Sequence, residues 1–221
     1  MARTYFQFSG QSLGRLAALS DGIFAVAMTI LILNVHVPTV ALSQVEQPLW
    51  AGDALRMEAV LWSALTALAP QVLTYLMSFL TLGIFWAGQQ TQLNHFSRSD
   101  HRLTWTHLIF LLVVVLMPFS TALLTDFITY RLAMLVYWLN IFLLGLLLLV
   151  SIRYAGHAGL LSDEATPDVL AATQRRIVVY QALYAAAAAL CVVNTYLAIA
   201  CLILLQLNSV IGPRIGLLNR F

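Results

Sequence analysis

Runs of about twenty apolar residues recur along this chain, and that length constrains it more than any other feature. A helix rising about 1.5 Å per residue needs about twenty such residues to cross the hydrocarbon core of a bilayer. Six runs read this way, at about 14–36, 69–93, 103–124, 131–153, 175–196 and 198–213. Hydrophobic residues make up 61% of the chain and charged residues 9%, against roughly 25% charged in a soluble domain, so the surface suits lipid rather than water. The expected fold class is all-α: a polytopic membrane protein of six transmembrane helices. The expectation is a single transmembrane domain over residues 1–221, with no extramembrane domain. The first run is too long for a cleavable signal peptide and contains Asp21.

Residues 54–68, "ALRMEAVLWSALTAL", have helical periodicity but carry Arg56 and Glu58. They read as an interfacial helix leading into the second span, with Pro70 at the junction. Residues 155–176 read as an ordinary loop between spans four and five. Orientation rests on arginine, since the chain has no lysine. With a cytoplasmic N-terminus, Arg3, Arg15, Arg98, Arg102, Arg153, Arg175, Arg176, Arg214 and Arg220 fall inside, and only Arg56 and Arg131 outside. That asymmetry predicts a multi-pass protein of the cell inner (plasma) membrane with both termini cytoplasmic, and puts Ser162 in a cytoplasmic loop. A net charge of only +2 argues against a nucleic-acid partner.

Little here points to catalysis or to a cofactor. Cys191 and Cys201 fall in the last two spans without metal-ligand spacing and read as packing residues. The histidines at 36, 95, 101, 107 and 157 are scattered, and no hydrolase, zinc-protease or phosphate-loop motif occurs. Asp100 and His101 are adjacent, but solvated loop polarity explains them better than an acid–base pair. The expectation is a non-enzyme with no cofactor and no bound metal beyond permeating cations.

The first run, "RLAALSDGIFAVAMTILILNVHVP" (15–38), differs in kind from the others. An ionisable group at the centre of a spanning helix costs about 2.5–3.5 kcal/mol on insertion scales, and such groups usually face a bundle interior or a wet cavity. At about 100° per residue, Val26, Thr29, Ile30 and Leu33 share one stripe about 100° wide. Arg15 projects onto the same azimuth, Asp21 lies about a third of a turn away and Ser20 is on the other side. Ser20 and Asp21 serve either to glue spans together or to support transport, and these residues alone do not decide between the two.

"RLAALSDGIFAVAMTILIL" resembles the first-helix signature R-x-x-x-F-S-D-G of the prokaryotic branch of the transmembrane protein 175 family, the lysosomal potassium channel family. Leu19 replaces the usual Phe, while Arg15, Ser20, Asp21 and Gly22 match. "YLMSFLTLGIFW" (75–86) resembles the family's second helix and "LMPFSTALL" (116–124) the end of its third. The likeness is clearest over residues 14–125. In the family pattern a His follows the second-helix Trp by three residues and an Asn sits early in the third helix. The corresponding positions here are Gln89, three after Trp86, and His107. Both can donate to a carboxylate, so a polar network can survive with its residues exchanged.

The resemblance implies a homotetramer of six-span subunits whose first helices line a central potassium-permeable pore. Lacking a T-V-G-Y-G carbonyl filter, that pore would close with aliphatic rings that gate by dewetting. Val26 would form the first ring, Thr29 a polar ring, and Ile30 and Leu33 the next apolar rings. Off-stripe positions such as Phe24 and Leu31 would face lipid. Arg15, Ser20 and Asp21, with Gln89 and His107, would form a buried latch against spans two and three. The implied partners are potassium ions, membrane lipid and further copies of the chain; the family is also credited with proton permeation. A secondary transporter remains an alternative, although no broken-helix repeat pair is visible. So does a non-conducting scaffold using Gly145 and the alanine run 185–189, which more readily pack span five on its own bundle.

Overall fold

The structure, a computed structural model, describes residues 12–39, 50 and 54–211. Eight α-helices are present among them. Helix α1 (Leu13–Ile30) continues as a 3-10 turn, Leu31–Asn34, and α2 is Ala54–Thr66. Helices α3 (Ala69–Asn94), α4 (His101–Val115) and α5 (Met117–Asp126) follow. The remainder are α6 (Arg131–Ala158), α7 (Pro167–Ala189) with a 3-10 turn Leu190–Val192, and α8 (Thr195–Ile211). Five segments are long and apolar enough to cross a membrane: Leu13–Asn34, Ala69–Asn94, His101–Asp126, Arg131–Ala158 and Pro167–Val192. The sixth predicted run corresponds to α8, a shorter apolar helix of 17 residues. Positions 212 and 213 of that run, and Arg3, Arg214 and Arg220 of the orientation reading, lie outside the described residues.

Local chemistry sets the helix ends. Ser12 accepts a bond from the Arg15 backbone to start α1, and Asp100 does the same for Leu103 at the start of α4. Thr166 caps α7, whose first residue is Pro167. Pro70 occupies the first turn of α3, where its missing N–H costs nothing. The third span is two helices in one line: Pro118 cannot donate into the ladder, and α4 and α5 meet at Leu116.

The segment 155–176 is not an ordinary loop throughout. Helix α6 runs to Ala158 and ends at Gly159 in a left-handed conformation, φ 64°, and α7 begins at Pro167. Only the short connection between them is irregular, and it pairs with the α3–α4 turn through Ser97 N–H to Leu160 O and Ser162 N–H to His95 O, both 2.9 Å. The sequence reading missed this because the polar residues of 167–176 belong to the first turns of α7, not to a break. Ser162 is consequently half-buried with its hydroxyl inside, and Asp163 is the exposed neighbour.

Asp100 and Tyr154 tie the α4 start to α6, the tyrosine hydroxyl donating to the second carboxylate oxygen. With its other oxygen capping α4, Asp100 is a structural residue here. The main core joins α1 to α3–α8 through residues such as Phe24, Met77, Phe110, Met134, Tyr137 and Leu202. Helix α7 packs on α6 at a close approach. Cβ built on Gly145 would sit 1.7 Å from Gln181 Nε2 and 2.9 Å from its Cγ. That amide is already committed, donating to Ile141 O at 3.2 Å. Gly145→Ala is therefore expected to lower stability by about 1–3 kcal/mol through overpacking. The double variant Gly145→Ala/Gln181→Ala should recover most of that loss, as measured by thermal unfolding in detergent.

Candidate functional site: a two-faced first helix and its polar anchor

Helix α1 divides its surface cleanly. Leu16, Ser20, Phe24, Ala27 and Leu31 are buried against the bundle, and Phe24 sits 6.0 Å, ring to ring, from Phe110 of α4. Phe24 and Leu31 are 1% and 0% exposed, so the expectation that they face lipid is corrected. The side of α1 opposite the stripe is its packing face, because a helix held on α3 and α4 cannot also present that side to lipid. Val26, Ile30 and Leu33 are 57%, 42% and 70% exposed on the single chain, and Thr29 is exposed between them. Thr29 donates its hydroxyl hydrogen to Val26 O at 2.8 Å, which leaves the oxygen's lone pairs available to accept. A shallow groove lined by Leu19, Gly22, Val26 and Ile30 with Val115 and Pro118 runs along this face.

The polar residues of α1 part company. Ser20 is fully buried and accepts from Gln89 Nε2 at 2.9 Å. The same amide lies 3.4 Å from His107 Nδ1, and His107 Nε2 lies 3.3 Å from Ser151 Oγ on α6. If the amide supplies one hydrogen to each, the imidazole is neutral with its proton on Nε2, directed at Ser151. Four helices thus meet through Ser20, Gln89, His107 and Ser151. Asp21 lies on the exposed side and accepts two bonds at Oδ1, from Trp86 Nε1 at 2.8 Å and Gln90 Nε2 at 2.6 Å. Arg15 is exposed, about three turns before Val26, and no described residue bonds its guanidinium.

A second set of polar residues escaped the sequence reading. Thr74 and Thr125 hydroxyls are 2.7 Å apart, and Thr121 donates to Ser78 at 2.8 Å. The Tyr137 hydroxyl lies 3.2 Å from Ser78 and 3.1 Å from Thr81, which also accepts from Gln206 Nε2 of α8 at 2.7 Å. Gln92 donates to Leu148 O at 3.1 Å, and Asn34 to Pro118 O at 3.3 Å. The signal was present: Thr74, Ser78, Thr81, Gln89 and Gln92 fall on one side of α3 at helical spacing. Likewise Trp86 and Gln90, four apart, were readable as partners on one face.

Residues 15–118 match the family model described as endosomal/lysosomal potassium channel TMEM175. A protein named potassium channel from Streptomyces collinus is 35% identical over 114 residues, 52% of this chain and 48% of that protein. Another of that name from Chamaesiphon minutus is 32% identical over 115 residues, 52% of this chain and 50% of that one. The chain thus aligns with about half the length of these curated relatives. The crystal structure of a lysosomal potassium-selective channel TMEM175 homologue from Chamaesiphon minutus matches the fold. Its TM-score is 0.73 at 24% identity, covering 90% of this chain and 96% of that one.

The exchanged pair is open to direct measurement. Gln89→His and His107→Asn each strand a buried partner and should each cost about 1–3 kcal/mol. The double variant Gln89→His/His107→Asn restores the family's polar pattern. It should be more stable than the sum of the singles by about 1 kcal/mol in a thermal-unfolding cycle. Over residues 15–118, just under half of its length, the chain is thus similar to the TMEM175 family of potassium channels.

Proposed function

We propose that this chain forms a passive potassium-permeable channel, a homotetramer of six-span subunits whose first helices surround the pore. The observation that carries this reading is the exposed aliphatic stripe of α1, Val26, Ile30 and Leu33, on a helix whose other side is locked into the bundle. Four copies of that stripe around an axis give rings of apolar side chains, a constriction of the kind that gates by dewetting. Thr29 contributes a ring of oxygens with lone pairs free for a dehydrated cation. The groove beside Val26 and Ile30 provides a surface for the adjoining subunit. Ser20, Gln89, His107 and Ser151 hold α1 in place, Asp21 fixes it to α3 through Trp86 and Gln90, and Arg15 lies at the pore mouth. Proton permeation fits the same pore, because a transiently wetted constriction carries protons as well as ions. A secondary transporter would need a coupled solute, and a scaffold would give no flux.

Potassium flux into proteoliposomes under a potassium–sodium gradient tests the reading. Val26→Asn should wet the constriction and raise flux several-fold, while Val26→Leu should narrow it and lower flux. Thr29→Ala should mainly weaken discrimination between potassium and sodium. Val150→Asn on the exposed side of α6 serves as the control and should leave flux unchanged. Equal effects at positions 26 and 150 would show that the stripe has no special role.

The proposed orientation sets the cell inner membrane as the location, with both termini cytoplasmic. An Asp163→Cys variant should label with an impermeant thiol reagent only from the cytoplasmic side. Buried Cys191 should stay unreactive. Labelling of position 163 from outside intact cells would invert the topology.

A further inference from the structure

A groove of about 570 Å³ opens on the flank of the bundle between α3 and α7, with Gly145 and Leu148 of α6 as its floor. Ser209 and Val210 of α8 also line it, the Gln206–Thr81 bond setting that helix beside α3. The α3 wall carries glycines where side chains would otherwise fill the space. A Cβ on Gly83 would meet no atom within 4 Å, and one on Gly88 only Leu148 Cδ1 at 3.7 Å.

The lining is polarised along its length. Phe79, Leu80, Ile84 and Tyr184 make one end apolar. Toward the start of α7 lies Arg176, the only charged residue among the described lining residues, its guanidinium carbon 5.9 Å from the Tyr180 ring centre. Nearby in the wall is Gln92, 2% exposed, whose Nε2 is bound to Leu148 O and whose Oε1 has no donor among the described residues. The stretch from Phe79 to Gln92 covers fourteen residues of α3, about 20 Å, somewhat more than one leaflet's share of a bilayer core of about 30 Å.

We propose that this groove binds one anionic glycerophospholipid of the adjacent leaflet. An acyl chain lies along the apolar wall, the phosphate meets Arg176, and a headgroup hydroxyl donates to Gln92. A cation with no carboxylate among the described lining residues favours a net negative headgroup over a zwitterion, whose ammonium would find no counter-charge there. Phosphatidylglycerol supplies both the charge and the hydroxyls. The proposal requires only that the chain sits in a membrane, so its outcome is independent of whether the pore conducts.

The test is native mass spectrometry of the purified full chain in detergent, titrated with dioleoyl phosphatidylglycerol or dioleoyl phosphatidylcholine. Phosphatidylglycerol should bind in preference, and Gly83→Leu, which fills the groove while improving helix propensity, should weaken it on the order of tenfold. Arg176→Gln should remove the preference for phosphatidylglycerol over phosphatidylcholine, Arg176→Lys should retain most of it, and Arg102→Gln at the same end of the bundle should leave it intact. Equal retention of both lipids by the wild type, or unchanged phosphatidylglycerol binding in Gly83→Leu and Arg176→Gln, would overturn the proposal. So would loss of oligomer in Gly83→Leu with lipid binding intact, because the groove would then be a subunit contact.

Discussion

Every polar side chain placed inside a membrane bundle must find a partner there, and α3 is where this chain meets that requirement. Thr74, Ser78, Thr81, Gln89 and Gln92 are all buried on one side of the helix, and their bonds reach α1, α4, α5, α6 and α8. Interhelical hydrogen bonds in membranes average about 0.6 kcal/mol each, so the network's net stabilisation is modest. Its larger effect is on register. A one-residue slip of α3 would turn this row toward apolar neighbours and leave several groups unsatisfied, at about 1–3 kcal/mol apiece. Apolar packing alone distinguishes poorly between registers in a chain so rich in leucine. The polar row supplies that discrimination.

The first helix depends on this anchor in a particular way. Its buried side offers Leu16, Phe24, Ala27 and Leu31 to the core, enough to hold it against the bundle. Ser20 adds the polar point that fixes rotation, since Gln89 can reach its hydroxyl from only one azimuth. Rotation decides which residues the helix presents outward. A turn of about 100°, one residue's worth, would replace Val26 by a neighbour at the same height. Asp21 secures the same angle from the other edge through Trp86 and Gln90. The stripe is therefore as well defined as the network behind it, although none of its own residues belongs to that network.

Much of this was legible in the sequence because lipid simplifies the code. Span positions came from apolar length, and most observed ends fall within a few residues of the expected ones. The exceptions share a cause. Helix α6 runs on to Ala158 and α7 starts at Pro167, beyond their apolar windows, because helices continue into the interface where composition turns polar. Phe24 and Leu31 were placed on the wrong environment, since a leucine or phenylalanine serves equally well against lipid or against a helix. Ser20 stood out as a polar residue in an apolar run, but Gln89 and His107 were matched to it through a resemblance covering the first half of the chain. Tyr137 and Gln206, which close the second cluster, lie beyond it. Nothing in a single sequence says that position 206 will stand beside position 81.

On the proposed pore reading, the valine at position 26 is where these constraints would meet function. A β-branched side chain has few rotamers in a helix, so four valines around an axis would form a ring of well-defined bore. A leucine there would be longer and free to change rotamer, giving a tighter but more variable closure. The rigid network behind α1 acts in the same direction, because it limits the helix rotation that could otherwise widen the ring. A closure built this way would open by small changes in helix spacing rather than by side-chain rearrangement. Such spacing would be controlled at the outer flank of the bundle, where α7 and α8 meet α3, as much as at the pore itself. The groove between α3 and α7 lies on that flank, so on the proposed reading its occupant would bear on the spacing of the helices behind Val26.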